Sequence, residues 1–156
     1  MRPVLFLRIA SVLTFVHAAL HTIGGVFGTP TPGVQQATML AMKANQFQVM
    51  GVTRSYWDFQ LGFGLAVSIV LLVEAVVFWQ LGSLAKAGAL RLRPVLATFL
   101  VGYVGLAVNS YEYFFAPPVI GEILIASCLG LAILTYGRDA ATETRQPLRD
   151  EQLGRV

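Results

Sequence analysis

The chain has little charge, little histidine and almost no cysteine. Of its 156 residues only 12% are charged and 56% are hydrophobic, with 2 histidines and a single cysteine, Cys128. A soluble domain usually carries about twice that charged fraction. One thiol forms no internal disulfide, and without a Cys-X-X-Cys pair the chain is not a dithiol oxidoreductase. Because the apolar residues come in long blocks, the scarcity of charge points to a membrane protein.

Other absences exclude whole classes of chemistry. The sequence has no glycine-rich phosphate loop and no serine in a nucleophile elbow. Two histidines are too few for a membrane di-iron hydroxylase, and one turn apart on one helix they cannot take opposite faces of a haem. The net charge of +3 comes from basic residues scattered at the ends of the apolar blocks. That placement is typical of membrane topology rather than of a nucleic-acid-binding face.

Four apolar blocks are long enough to cross a hydrocarbon core, which takes about 20 helical residues. They cover residues 9–28, 57–81, 94–115 and 119–136. Pro117 and Pro118 separate the last two, which predicts a tight antiparallel helical hairpin. We therefore expect an all-α, integral membrane four-helix bundle over residues 1–137. The tail, residues 138–156, mixes charges without an apolar stripe and is predicted to be disordered and cytoplasmic.

The basic residues set the expected orientation. They cluster at the amino end, in the second connection and in the tail, whereas the third connection has none and the longer first connection has only Lys43 and Arg54. By the positive-inside rule both termini are cytoplasmic, and we expect a multi-pass protein of the cell inner membrane. An alternative is a signal peptide cleaved near His17. The apolar run continues to Val26, however, and that length favours an uncleaved span.

The first connection, residues 29–53, is more than a simple loop. It opens with the turn-rich stretch TPTPG, and apolar positions then recur among glutamines in VQQATMLAMKANQFQVMG. This pattern predicts a short amphipathic helix on the outer face, between spans one and two.

Ionisable groups inside spans are costly, so their position is informative. With the expected orientation, polar residues of all four spans fall together in the outer half of the membrane or at its interface: His17, His21, Arg54, Asp58, Asn109, Glu112 and Glu122. We expect an outer-leaflet polar pocket closed by the first connection. The alternative is interfacial solvation, with Arg54 and Asp58 as a local ion pair at i, i+4.

The two histidines, in the stretch HAALHTIGG, are four residues apart on one helix face. They could hold a divalent metal with Asp58 or Glu112 as a third ligand. The stretch lacks the glutamate of a HExxH motif, and we expect neither a metal nor a cofactor. Hydrogen bonding to Asp58, Asn109 or Glu112 is the expected role instead.

Glu74 stands apart, 16 residues after Asp58 and about 24 Å further along the helix. An isolated carboxyl at that depth is protonated, paired across a subunit interface or part of a proton path. Within the chain we expect only Lys86 or Arg91 to reach it, by snorkelling.

The run MGVTRSYWDFQLGFGL, following HAALHTIGG, resembles an uncharacterised family of small bacterial four-span integral membrane proteins, distantly similar in architecture to DoxX-like proteins. The likeness extends to Tyr136, and its clearest motif is RSYWDF with GFG. It implies fold and location but no activity. Its motif positions are His21, Arg54, Tyr56, Trp57 and Asp58, which are therefore the first candidates for the pocket.

Three functions remain open. The first is non-enzymatic binding of a small amphipathic ligand or a partner protein in the outer-leaflet pocket. The second is acid–base catalysis on a lipid-like substrate by His21 with Asp58 or Glu112. The third is a homodimeric proton-coupled transporter using Glu74.

Overall fold

The computed structural model describes residues 2–87 and 92–153, with side chains as far as Tyr136. Its helices are α1 (Arg2–Leu20), α2 (Val34–Ala44), α3 (Tyr56–Lys86), α4 (Arg93–Tyr113) and α5 (Ala116–Leu153). One π-helical segment, His21–Val26, continues α1. Two strands, β1 (Gln46–Val49) and β2 (Val52–Ser55), form an antiparallel hairpin.

Four helical segments in the described ranges are long and apolar enough to cross a membrane. They are Arg2–Val26, Tyr56–Lys86, Arg93–Tyr113 and Ala116–Tyr136. The helical fold with four long apolar helices is thus confirmed, and the segments suggest a multi-pass membrane protein.

The helix ends differ from the predicted ones in several places; α3, for example, ends at Lys86 instead of residue 81. The first helix begins at Arg2 instead of residue 9. Pro117 and Pro118 lie inside the first turn of α5, where a missing backbone donor costs no helical hydrogen bond. The link between α4 and α5 is consequently only Phe114 and Phe115. Past Tyr136 the helix α5 runs on to Leu153, through the segment whose composition predicted disorder.

The chain divides into two compact units. The first, called the bundle unit here, comprises Met1–Thr14 and Glu74–Val156. The second, called the hairpin unit, comprises Phe15–Val73 and contains α2 and both strands. Helices α1 and α3 contribute residues to both units.

The bundle unit is built around an apolar cluster. Leu7, Phe78, Leu96, Ile125 and Leu129 are fully buried in it. The Phe78 ring packs edge-on against Phe99, with 5.0 Å between ring centroids. Helices α4 and α5 pack against each other, as expected for antiparallel neighbours joined by a two-residue link.

The hairpin unit confirms the helix predicted in the first connection and adds a feature that the prediction missed. The α2 helix is followed by a β-hairpin whose two-residue turn is Met50–Gly51, with φ of 48° and 84°. Positive φ at both positions is the type I′ geometry that matches the twist of paired strands. Phe47 of β1 packs against Tyr56 and Phe59, with centroids 4.9 Å and 5.8 Å away. These contacts attach the hairpin to the start of α3.

Candidate functional site

A pocket of about 460 Å³ lies in the hairpin unit, between α2 and the start of α3. Its walls come from the loop that follows the π-helical segment, from one face of α2 and from the first two turns of α3. The lining residues are Gly28, Pro30, Val34, Gln35, Thr38, Met39, Met42, Trp57 and Gln60. The five residues from α2 recur at intervals of three and four, which places them on one helical face. The pocket is therefore a product of the amphipathic pattern of α2.

Trp57 forms one wall of this pocket, and its ring orientation is restrained. The Lys43 ammonium, at the end of α2, lies 5.0 Å from the indole centroid. A cation at that distance is attracted to the face of the ring. This contact links the last turn of α2 to the first turn of α3 across the pocket.

Asp58 caps the amino end of α3. Its Oδ2 accepts hydrogen bonds from the Ser55 backbone N–H at 2.7 Å and from the Ser55 hydroxyl at 2.9 Å. In return, the Asp58 backbone N–H donates to the Ser55 hydroxyl oxygen at 3.2 Å. This reciprocal arrangement is a capping box, which satisfies backbone donors that a helix end leaves free. Arg54 is exposed and donates to the Thr53 carbonyl at 2.9 Å. The sequence pattern was expected to give Asp58 an ionic or catalytic role, whereas here it positions α3.

His21 lies at the start of the π-helical segment and bonds to backbone. Its Nε2 is 3.0 Å from the Gly64 carbonyl oxygen; because a carbonyl can only accept, Nε2 carries the proton. Ser68 donates to the same carbonyl at 3.1 Å and receives a hydrogen bond from Thr22 at 2.8 Å. The expected partnership of His21 with Asp58 is replaced by this backbone contact.

The close approach at Gly64 explains part of the GFG sequence. A Cβ at Gly64 would come within 2.9 Å of the Val26 side chain, whereas a Cβ at Gly62 would meet nothing within 4 Å. Gly64 is thus required for the packing that brings its carbonyl to His21, and Gly62 is not.

His17 is half-buried, and its Nδ1 is buried without a hydrogen-bond partner among the described residues. In the described ranges no group of three or more histidine, cysteine or acidic side chains is arranged to hold a metal ion. Asn109 and Glu112 belong to the bundle unit, where both are exposed. Tyr56 is 58% exposed beside the hairpin.

Two carboxyl–hydroxyl pairs lie inside the bundle unit. The Tyr103 hydroxyl donates to Glu74 Oε2 at 2.6 Å, and Thr14 Oγ1 is 3.4 Å from the same hydroxyl. The expectation that only Lys86 or Arg91 could reach Glu74 is therefore wrong. Lys86 is exposed, and Arg91 lies outside the described residues. The sequence signal for this partner of Glu74 is Tyr103 itself, a tyrosine in the middle of an apolar span.

The second pair joins α4 to α5. Ser110 donates to Glu122 Oε1 at 2.9 Å, and both side chains are 4% exposed. The other oxygen, Oε2, is buried and has no partner in the part of the chain that the structure describes. Sequence reasoning placed Glu122 in the outer half of the membrane but identified neither its burial nor Ser110.

Near the amino end of α1, Arg8 makes its own polar contacts within the apolar bundle. Its guanidinium carbon lies 3.5 Å above the Trp79 ring, and Nη2 donates to the Ser83 hydroxyl at 3.0 Å. Stacking of this kind lets a long cationic side chain extend along a span. The other terminal nitrogen, Nη1, is buried without a hydrogen-bond partner among the described residues.

A second groove, of about 510 Å³, runs between α4 and α5. Apart from Tyr111 and Ser127, its lining is aliphatic: Leu100, Val104, Ala107, Val108, Val119, Ile123 and Ala126. Such a surface is what a span presents to lipid chains.

Comparison of the chain with family models, curated proteins and solved structures finds no match.

Proposed function

We propose that this protein is a multi-pass membrane protein that binds a small amphipathic molecule in the pocket between α2 and the start of α3. The observation that carries the proposal is the pocket itself. Its volume of about 460 Å³ lies in the range of small-molecule sites, roughly 300 to 1,000 Å³. It combines apolar walls with a few convergent polar groups, as such sites generally do.

The lining indicates the class of ligand. Val34, Met39 and Met42 offer an adaptable apolar wall, because the thioether side chain fits varied shapes. Gln35, Thr38 and Gln60 add amide and hydroxyl groups that can donate and accept hydrogen bonds. Among the described residues no charged side chain lines the pocket, so the best match is an amphiphile with an uncharged, hydroxyl- or amide-bearing head.

The proposed location follows from charge and aromatic placement. The positive-inside rule puts both termini on the cytoplasmic side of the membrane, which we take to be a bacterial inner membrane, and α2 on the outer side. Tyr56 and Trp57 then lie at the outer interface, where amphipathic rings are enriched. A pocket at that level would take ligand from the outer leaflet. The resemblance to small bacterial four-span membrane proteins supports the same location.

The acid–base enzyme is the weaker alternative. Asp58 Oδ2 is engaged by Ser55 and the proton of His21 Nε2 by the Gly64 carbonyl. Both groups are engaged in structural hydrogen bonds, which would have to break before either group could transfer a proton to a substrate. Neither residue lines the pocket.

Fluorescence quenching tests the binding proposal. The chain has 2 tryptophans, so the Trp79→Phe variant leaves Trp57 as the sole reporter in the pocket wall. In nanodiscs, a brominated monoacylglycerol should quench Trp57 with a saturable dependence on its mole fraction. Adding Thr38→Phe, which fills the pocket, should abolish the saturable component. Gln36→Phe is the matched control, since Gln36 does not line the pocket, and it should leave saturation unchanged.

The contrary outcome is Trp57 quenching that rises in proportion to the mole fraction of the brominated lipid and is the same with Thr38→Phe as with Gln36→Phe. That result would show partition of the probe into the bilayer and would refute the pocket as a binding site.

A further inference from the structure

We infer that the bundle unit binds the phosphate group of an anionic phospholipid where the start of α1 meets the end of α3. Arg8 and Lys86 are its cationic contacts, and Trp79 and Ser83 position the Arg8 guanidinium. The inference rests on the membrane location proposed above but not on the amphiphile pocket, which lies in the other unit.

One face of α3 holds the Arg8 side chain. The residues of this face recur at intervals of three, one and three: Trp79, Gly82, Ser83 and Lys86. Trp79 stacks on the guanidinium, whose carbon lies 3.5 Å from the ring centroid, and Ser83 accepts a hydrogen bond from Nη2 at 3.0 Å. A Cβ at Gly82 would come within 3.3 Å of Arg8 Nε, so glycine leaves the space that the arginine occupies. The guanidinium is therefore held in one orientation before any ligand binds.

The positive charge of Arg8 has no counter-charge among the described residues around it. Nη1 is buried and has no hydrogen-bond partner among them, and Nη2 donates to a neutral hydroxyl. The described residues at this end of the unit, 2–14, 78–87, 92–100 and 128–136, contain no aspartate or glutamate. A cation that is partly buried in a protein is normally paired. The anion that pairs with Arg8 therefore comes from outside this part of the chain.

The same end of the bundle unit carries further positive charge. The exposed side chains of Arg2, Lys86 and Arg93 lie at the start of α1, the end of α3 and the start of α4. Lys86 is one turn beyond Ser83, about 4.5 Å along the helix, so its flexible side chain can reach a group bound beside Ser83. An arginine fork combined with a lysine ammonium is typical of phosphate recognition.

The level of the site indicates a lipid as the source of the phosphate. Trp79 is half exposed, and indole rings are enriched where a span meets the headgroup region. Basic pockets between spans are typical binding sites for anionic headgroups. A zwitterionic headgroup would bring its own ammonium towards these basic residues, so an anionic lipid is favoured. With the proposed topology the site faces the cytoplasmic leaflet.

Quenching of Trp79 tests this binding. Because the chain has 2 tryptophans, Trp57→Phe leaves Trp79 as the sole reporter. Nanodiscs of phosphatidylcholine and phosphatidylglycerol, with one of the two lipids brominated in its acyl chains, give the relative affinity of the lipids at Trp79. Phosphatidylglycerol should be preferred. Adding Arg8→Gln should lower that preference about tenfold, as expected for the loss of one charge-assisted hydrogen bond.

Two further variants separate the site from a general surface charge. Lys86→Gln leaves the contact between α1 and α3 intact and should also lower the preference for phosphatidylglycerol. Arg2→Gln is the matched control, because it removes the same charge from the exposed start of α1, away from the α3 face. It should leave the preference nearly unchanged.

Equal quenching by the two lipids in the Trp57→Phe protein would overturn the inference. So would equal losses of preference in Arg8→Gln and Arg2→Gln, because they would show a diffuse surface potential instead of a site. Replacing chloride by inorganic phosphate at the same ionic strength should leave the preference intact. If the preference disappears, the ligand is free phosphate and the assignment to a lipid is wrong.

Discussion

The carboxyl groups of the two units are held in opposite ways. In the hairpin unit Asp58 is held by Ser55, only three residues away. In the bundle unit the partners are distant in sequence, 29 residues for Tyr103 and Glu74 and 12 for Ser110 and Glu122. Local partners fix the ends of elements, whereas distant ones fix which helices pack together. Loss of a distant partner should therefore be the more costly.

The largest expected effect is at Tyr103. Tyr103→Ala removes a fully buried ring that packs beside Phe78 and leaves Glu74 without its donor. We expect the free energy of unfolding to fall by about 3 kcal/mol or more, measured by titrating mixed micelles with a denaturing detergent. Tyr111→Ala, at a residue 76% exposed on the same helix, should change it far less. Equal losses of unfolding free energy in Tyr103→Ala and Tyr111→Ala would contradict the larger cost that we expect for losing a distant partner.

A smaller effect is expected at Ser110. Ser110→Ala removes the hydrogen bond that the buried Glu122 carboxyl accepts from the described residues, and leaving such a group unpaired costs about 1–3 kcal/mol. The control is Ser127→Ala on α5, because the exposed Ser127 hydroxyl bonds to the Ile123 carbonyl of its own helix. The same unfolding titration should give nearly wild-type stability for the control. The double variant Ser110→Ala with Glu122→Leu should recover stability, and a failure to recover would show that the serine matters for another reason.

The smallest of the three effects is at the cap of α3. Asp58→Ala removes the acceptor for the Ser55 N–H and hydroxyl, and the loss of such a cap costs about 1 kcal/mol. Asp58→Asn keeps a side-chain oxygen as acceptor and should retain most of the stability. Backbone hydrogen exchange should accelerate in the first turn of α3 in Asp58→Ala alone. Uniform acceleration along α3 in both variants would mean that the carboxylate charge, rather than the cap, is what stabilises the helix.

Sequence reasoning predicted the elements better than their contacts. Apolar block length indicated four long helices, and the spacing of apolar residues among glutamines indicated α2, because both signals are local. The sequence pattern does not reveal the hairpin, because QFQV lies within a glutamine-rich amphipathic run that favours a helix throughout. The Met50–Gly51 pair was the available turn signal.

The site was harder to predict for a physical reason. Facing partners such as Tyr103 and Glu74 depend on which helices are neighbours and on how each is rotated, and neither is set by a local pattern. The sequence predicts a hydrogen bond between Asp58 and His21, because both are polar groups in an apolar setting. Each has a closer partner, the Ser55 hydroxyl for Asp58 and the Gly64 carbonyl for His21. Of the motif residues, Trp57 is the one that lines the pocket.

The most direct test of the central claim, that the pocket of the hairpin unit binds an amphiphile, is native mass spectrometry of the protein purified from membranes in a mild detergent. The account predicts a bound, uncharged amphiphile on the wild type that is absent from Thr38→Phe and retained by Gln36→Phe. Identical lipid adducts on all three proteins, or none on any, would contradict it.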